Sequence, residues 1–428
     1  MNSPLWFPSP EPVQSRDVAV IGAGIAGASA ARSLAERGFT VQVLERHALP
    51  AQGASGNPAG IVLPVVSRTG NALSELTRIG LDFARRRMQS LMQQDARVDW
   101  QPSGVLRLAR NERHAAQQEK IAAQQAFAPD FARWVDAAEG SALVGVTVEQ
   151  PGWWFAGGGS VCPPKLVNAL LQHSRISLRC ACAVRNMRRE AGEWWLEDAQ
   201  GVVLAHATNV VLANAHEALQ LLPALYAESL PLAAIRGQVS LCALGADLTT
   251  LRAVACREGY AIPPREAQIC FGASFTHHAQ DAALSVAEHQ GNLERLQAIF
   301  PHAALPPIDA LKGRVSFRCA TPDRLPMLGA LHDAEDFRMR FANLHHDGRA
   351  QREQAAQLLP GLWLNVGHGA RGLVWADMLG EALACMMSGE DSPLPQALLH
   401  ALHPARFDYR LMRTAPAHRK AWTFSQEE

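Results

Sequence analysis

Lysine is almost missing from this chain: it stands only at Lys120, Lys165, Lys312 and Lys420, so 36 of the 40 basic residues are arginine. Net charge is missing as well. Forty basic and forty acidic residues create no whole-molecule field that would draw the protein onto nucleic acid or an anionic bilayer, so such a partner must be met by a local patch. No stretch approaches the ~20 uninterrupted apolar residues of a membrane-spanning helix. Met1 to Pro10 has neither the basic start nor the apolar core of a secretory signal, and the cytoplasm is the expected compartment. The eight cysteines form no C-x-x-C pair, and most lie in apolar stretches such as Val239 to Leu244, which predicts reduced, buried thiols. Cys180 and Cys182 share one face of an expected strand, but no histidine spacing accompanies them, so no metal site is expected.

What is present is a composition near the globular average: 428 residues, 48% apolar and 19% charged. That excludes a disordered chain, a collagen-like repeat and a disulfide-stapled miniprotein, and it suffices for two or three packed units.

Asp17 to Ile21 is a short apolar strand that runs directly into Gly22-Ala-Gly24-Ile-Ala-Gly27, followed by Ala30, Ala31 and Leu34 at helical spacing and Gly38 as a stop. In this pattern the first glycine permits a tight turn, the second lets a pyrophosphate approach the backbone, and the third lets helix pack on strand. The helix start then offers free N–H groups to phosphate. A second strand, Thr40 to Leu44, ends in Glu45 with Arg46 beside it, where a carboxylate accepts hydrogen bonds from an adenosine ribose. The acid disfavours a 2′-phosphate, leaving FAD or NAD.

Two later segments favour FAD. The polar, small-residue loop Gln52 to Gly60, with Ser55 and Asn57, is suited to wrap a flavin and its ribityl chain. Leu362 to Val366 reads as a strand feeding a second glycine turn, Gly367-His368-Gly369-Ala370-Arg371-Gly372, which opens the helix Leu373 to Met387. That helix start directs positive potential at the edge of a reduced flavin. Thr208 to Asn214 is the expected closing strand.

The β-α-β opening predicts a parallel sheet. Helices are expected over Ala72 to Gln94, Glu112 to Gln125, Pro163 to Gln172 and Val286 to Ile299, and strands over Val105 to Leu108, Trp153 to Phe155, Ile176 to Val184, Glu193 to Glu197 and Val202 to His206. A second, mostly antiparallel sheet is expected from Gln238 to Ala243, Ala253 to Ala255, Ala267 to Ala273 and Lys312 to Arg318. The fold class is therefore α/β: a Rossmann-like FAD-binding domain (residues 1–80, 161–232 and 324–428) with an inserted α+β substrate domain (81–160 and 233–323).

Several strings carry a family resemblance: the fingerprint with Glu45, Gly53-Ala-Ser-Gly-Asn57, Gly152 to Pro164, Val211-Leu-Ala-Asn-Ala-His216, Ile235-Arg-Gly-Gln-Val-Ser240, Phe271-Gly-Ala-Ser274, Arg318 to Met327 and Gly367 to Gly372. Together they resemble the D-amino-acid-oxidase-like flavoproteins, and more closely the FAD-dependent half of bifunctional enzymes that modify the wobble uridine of bacterial tRNA. The resemblance implies an oxidase that removes the carboxymethyl group of carboxymethylaminomethyl-uridine as glyoxylate and leaves an aminomethyl base. The family's other half is a methyltransferase fused at the amino terminus. There is no room for it before Asp17, so a separate methyltransferase is an expected partner.

The substrate arm is a glycine unit, a secondary amine beside a CH₂ that carries a carboxylate. Oxidation moves a hydride from that CH₂ to flavin N5, and water hydrolyses the imine. The protein must hold the CH₂ in place and anchor the acid, for which a bidentate arginine is the natural group. Arg318 resembles the position of the amino-acid oxidases' carboxylate-binding arginine; Arg371 competes for the role, and Arg236 reads better as a structural pair. His368 or Arg371 is a source of positive charge beside reduced flavin. Ser316 falls where covalently flavinylated relatives carry cysteine, so FAD is expected to be non-covalent. For tRNA the candidates are Arg85-Arg86-Arg87 and the tail arginines Arg406, Arg410, Arg413 and Arg419 with Lys420, and Trp153-Trp154 for stacking. A free-amine oxidase or dehydrogenase for glycine, sarcosine or a D-amino acid, and a non-catalytic flavin-bound tRNA-binding partner, are the alternatives.

Overall fold

A computed structural model describes residues 7–8, 10–94, 97–125, 127–243, 248–277, 281–346 and 355–424. Most of the amino-terminal decapeptide read for a secretory signal lies outside them.

Among the described residues the first sheet has six strands in the order Met327–His332, Leu358–Val366, Asn209–Leu212, Asp17–Ile21, Thr40–Leu44 and Ile176–Arg179. All neighbours are parallel except the edge pair of Met327–His332 with Leu358–Val366. Period-two alternation sends successive apolar side chains into two different cores, so both faces are buried as a parallel sheet requires. Val18, Val20, Val41, Val43 and Val211 pack under helices, whereas Ala19, Ile21, Leu44, Val210 and Leu212 pack under the small antiparallel ribbon Asn186–Glu190, Glu193–Glu197 and Val203–Ala207.

The helices Ile25–Glu36, Ala72–Gln93 and Gly372–Ser388 cover the first face. The first of them is alanine-rich because it lies against both sheet and helix. At its contact with Gly372–Ser388, a side chain on Gly380 would come 2.7 Å from the Ser29 carbonyl oxygen, so the two backbones meet directly there. The helix Ala72–Gln93 runs across the expected 80/81 boundary.

Among the described residues the second sheet has eight strands: Lys312–Ala320, Ala233–Ala243, Gln268–Gly272, Tyr260–Arg265, Val254–Cys256, Val105–Leu108, Gly152–Phe155 and Arg133–Val135. It is antiparallel except where Val254–Cys256 pairs with Val105–Leu108. The helix Val286–Ile299 closes one face with Leu293, Leu296 and Ile299 against Leu106, Phe271 and Ile269, and its start is capped by Ser285 Oγ, which accepts from the Glu288 N–H.

One expected strand is cut short: Ile176 to Val184 ends at Arg179. Ala181 has φ +54, a left-handed backbone, and the Ala181 and Cys182 N–H groups donate to the carbonyls of His47 and Glu45 instead of to a ladder. Cys180 and Cys182 therefore share no strand face. All eight cysteines are free thiols.

Candidate active site

The carboxyl ends of the parallel strands open into a cleft of about 1570 Å³, whose far wall is the substrate-side sheet. This is where ligands collect in an open α/β sheet. Gly22 sits at φ +104 at the first turn, and a side chain there would run into the Ala213–Asn214 backbone. Gly24 lines the cleft, whereas Gly27 packs against the Gly22 carbonyl and does not. Glu45 is buried, and its carboxylate accepts from the N–H groups of Ala23 (2.8 Å) and His47 (3.0 Å), which fixes it beside the glycine turn. Arg46 lies at the rim, ion-paired with Glu217. Ser55 Oγ accepts from Ile25 N–H at 2.9 Å, so the loop is tied to the helix start that faces the cleft.

The second glycine turn arrives from the other end of the chain. Gly367, His368, Gly369, Arg371 and Gly372 all line the cleft, and Asn365 holds the turn in place: its Nδ2 donates to the Ala26 carbonyl while its Oδ1 meets His368 Nε2 at 2.8 Å. Burial drives His368 down to about 4, so it is uncharged at neutral pH. Positive potential at this edge therefore comes from the start of the helix Gly372–Ser388 and from Arg371, its N-cap residue, and not from His368.

Across the cleft, Arg318 rises from the strand Lys312–Ala320, half-buried. Its Nη1 donates to the Ser274 carbonyl at 3.2 Å and its guanidinium stands 5.6 Å from the centre of the Phe275 ring. It has no carboxylate partner among the described residues. Arg236 differs: it is buried and ion-paired with Glu288, a structural role.

Two groups, Arg314 and Tyr260, escaped the sequence reading. Arg314 lies on the same side of its strand as Ser316 and Arg318, and period-two alternation was the signal that groups them. It donates to Asn57 Oδ1 (3.0 Å) and to the carbonyls of Gln52 (2.6 Å) and Gly53 (2.7 Å), stapling the loop. Tyr260 lines the cleft near Arg318, with burial pushing its hydroxyl pKa up so that it keeps its proton. Asn214 Oδ1, His216 Nδ1 and His368 Nδ1 are buried polar atoms with no partner among the described residues, all on cleft-lining residues. A dinucleotide lying along the cleft would supply what these atoms lack, and the turns, helix start and ribose-side carboxylate suit FAD.

The charge candidates divide. Arg87 is engaged with Glu36 and Asp377, Arg406 is buried against Asp323, and Arg410 meets the same carboxylate, so these three are structural. Trp153 and Trp154 are buried in the substrate-side cores, not presented for stacking. Among the described residues no group of three or more His, Cys, Asp or Glu could hold a metal ion, and no helix is long and apolar enough to cross a membrane.

The chain belongs to the FAD dependent oxidoreductase (DAO) family, which it matches over residues 17–386. FAD is its cofactor, and it is an FAD-dependent oxidoreductase. Among curated relatives, the tRNA 5-methylaminomethyl-2-thiouridine biosynthesis bifunctional protein MnmC of Pseudomonas putida is 42% identical over 413 residues, 95% of this chain and 62% of that protein. Its counterpart in Pseudomonas aeruginosa is 40% identical over 409 residues, 94% of this chain and 61% of that protein. The chain thus spans about three fifths of the length of the curated relatives it matches. Among solved structures, glycine oxidase from Geobacillus kaustophilus superposes with a TM-score of 0.71 at 20% identity, covering 90% of this chain and 97% of that one. Iminodiacetate oxidase from Chelativorans sp. BNC1 gives 0.71 at 22% identity, covering 90% and 98%. At those identities the likeness is one of fold.

Proposed function

We propose that this flavoprotein oxidises the carboxymethylaminomethyl arm of the tRNA wobble uridine, releasing glyoxylate and leaving an aminomethyl base. The observation that carries the reading is Arg318, a half-buried guanidinium with no carboxylate partner among the described residues, facing the same cleft as both glycine turns. Bound FAD supplies the two-electron acceptor for the arm's CH–NH unit. The chain's own residues do the rest. Arg318 clamps the arm's carboxylate, and a fork of two N–H donors fixes its orientation as well as its position. Tyr260 offers a protonated hydroxyl on the same wall. Ile61, Leu63 and Val65 form an apolar side, which strengthens the ion pair by keeping water from it. Loss of two electrons turns the amine into an imine, and water splits that into glyoxylate and the aminomethyl base.

The name borne by the curated relatives, with its methylaminomethyl uridine, supports the same base as substrate. Gly22, Gly24, Gly27, Glu45, Arg46, Ser55, Asn57, Gly367, His368, Gly369 and Gly372 are the proposed cofactor set, and Arg318 and Arg371 the proposed catalytic pair. FAD is held without a covalent bond: Ser316 offers no thiol, and burial pushes the nearby Cys319 thiol up to about 12. A methyltransferase acts on the product, and the cytoplasm is the proposed compartment. Sheet membership supports the division into a cofactor domain (1–80, 161–232, 324–428) and a substrate domain (81–160, 233–323).

The test is incubation of holoenzyme with tRNA isolated from cells lacking this protein, followed by nucleoside mass spectrometry. Conversion of carboxymethylaminomethyl-uridine to aminomethyl-uridine with an equivalent of glyoxylate is expected. Unchanged nucleosides, together with turnover of free glycine or sarcosine, would establish the free-amine alternative.

A further inference from the structure

The cleft is far more basic than the molecule that contains it. Among the described residues its lining has eight arginines against four glutamates and no aspartate or lysine, within a chain of zero formal charge. One carboxylate needs one arginine, and the excess gathers at the substrate-side mouth. There the end of the strand Val105–Leu108, the turn Arg257 to Gly259 and the last turns of the helix Val286–Ile299 converge, bringing Arg107, Arg110, Arg257 and Arg295 to one rim beside Glu258 and Glu294.

The rim is built and not merely adjacent. Arg257 spans it, with Nη1 donating to the Ala298 carbonyl and Nη2 to the Arg110 carbonyl, both at 2.6 Å. Arg295 is threaded over Gly259: a side chain there would come 2.8 Å from Arg295 Cβ and 2.9 Å from its Cδ. Among the described residues neither Arg257 nor Arg295 meets a carboxylate, unlike Arg87, Arg236, Arg406 and Arg410. Cations held in place by carbonyls and packing keep their full charge for an incoming anion.

Resting on the wobble-uridine reading, we infer that this rim is the track on which the tRNA backbone lies when its base enters the cleft, with Arg257 and Arg295 contacting phosphates. A polyanion explains several cations in a row where a small amino acid does not. Each phosphate neutralised releases condensed counterions, so every contacting arginine leaves a mark on the salt dependence of binding.

The experiment titrates FAD-loaded protein with a fluorescently labelled unmodified tRNA transcript at several KCl concentrations. Arg257→Gln and Arg295→Gln should each lower the slope of log K against log salt by about 1 and weaken binding roughly three- to tenfold at low salt. Arg295→Lys, which keeps the charge, should retain the slope and so separates lost charge from lost fold. Arg189→Gln, on the outer ribbon, should leave it unchanged. Wild-type slopes in both glutamine variants, with glyoxylate still released from tRNA, would overturn this track and leave the substrate reading standing. Displacement by polyglutamate as readily as by tRNA would also overturn it in favour of an acidic protein partner. Absence of both binding and glyoxylate release would sink the substrate reading itself.

Discussion

Replacing Gly237 by alanine puts one methyl group into the space that the Arg318 guanidinium occupies. Gly237 lies opposite Ser316 on the neighbouring strand, and a Cβ there would stand 2.7 Å from Arg318 Cζ and 2.8 Å from Nη2. What it strikes is the far end of a flexible side chain, so the backbone has no reason to move and the loss of stability should stay within about 1 kcal/mol. The guanidinium, however, must swing off its place above Phe275. A hydrogen-bonded charge pair is worth about 1.5–3 kcal/mol, and at 1.4 kcal/mol per decade its displacement lowers kcat/KM by roughly 10- to 150-fold. Steady-state glyoxylate release from modified tRNA reads this directly, and FAD content and thermal midpoint serve as controls. Arg318→Lys should lose about as much, because a point charge cannot reproduce the fork. A Gly237→Ala protein that keeps both its fold and its wild-type kcat/KM would refute Arg318 as the anchor in this position.

Arg314→Met removes three charge-assisted bonds to the loop Gln52 to Asn57, and FAD should dissociate roughly tenfold or more faster, measured by fluorescence of released flavin. Ala215 carries φ +59 at the turn after the strand Asn209–Leu212; Ala215→Gly should therefore raise stability by about 0.5–1 kcal/mol, seen as a higher thermal midpoint of the apoprotein. Burial alone would raise the Asp323 carboxyl, but Arg406 and Arg410 outweigh it and hold the group at about 2 against an ordinary 3.8. Because the folded value is the lower one, its stabilisation is complete above pH ~4 and is lost as pH falls toward 2, a change of about 2 kcal/mol. Asp323→Asn should flatten that acid limb of the unfolding curve.

The cofactor half was largely legible because its strands are short and mostly apolar and two of them run straight into glycine turns. Asp17–Ile21 and Thr40–Leu44 have the bounds their patterns give, and the two glycine turns meet at one cleft. Legibility failed where long-range contacts override local pattern. Tyr260–Arg265 contains two prolines, which argue against a strand, yet it pairs with Gln268–Gly272 and with Val254–Cys256. Met327–His332 follows proline and carries glycine, but gains its ladder from Leu358–Val366. Among the arginines, sequence could not tell Arg406, neutralised by a carboxylate 83 positions away, from Arg295, which meets none among the described residues. Ion pairing across the fold decides which cation is available, and nothing local in the chain records it.

The most direct measurement is anaerobic mixing of the FAD-loaded protein with tRNA bearing carboxymethylaminomethyl-uridine, following the flavin's visible absorption and glyoxylate together. Stoichiometric bleaching with one glyoxylate per flavin is the expected result. Bleaching by free glycine or sarcosine but not by the modified tRNA would contradict the account.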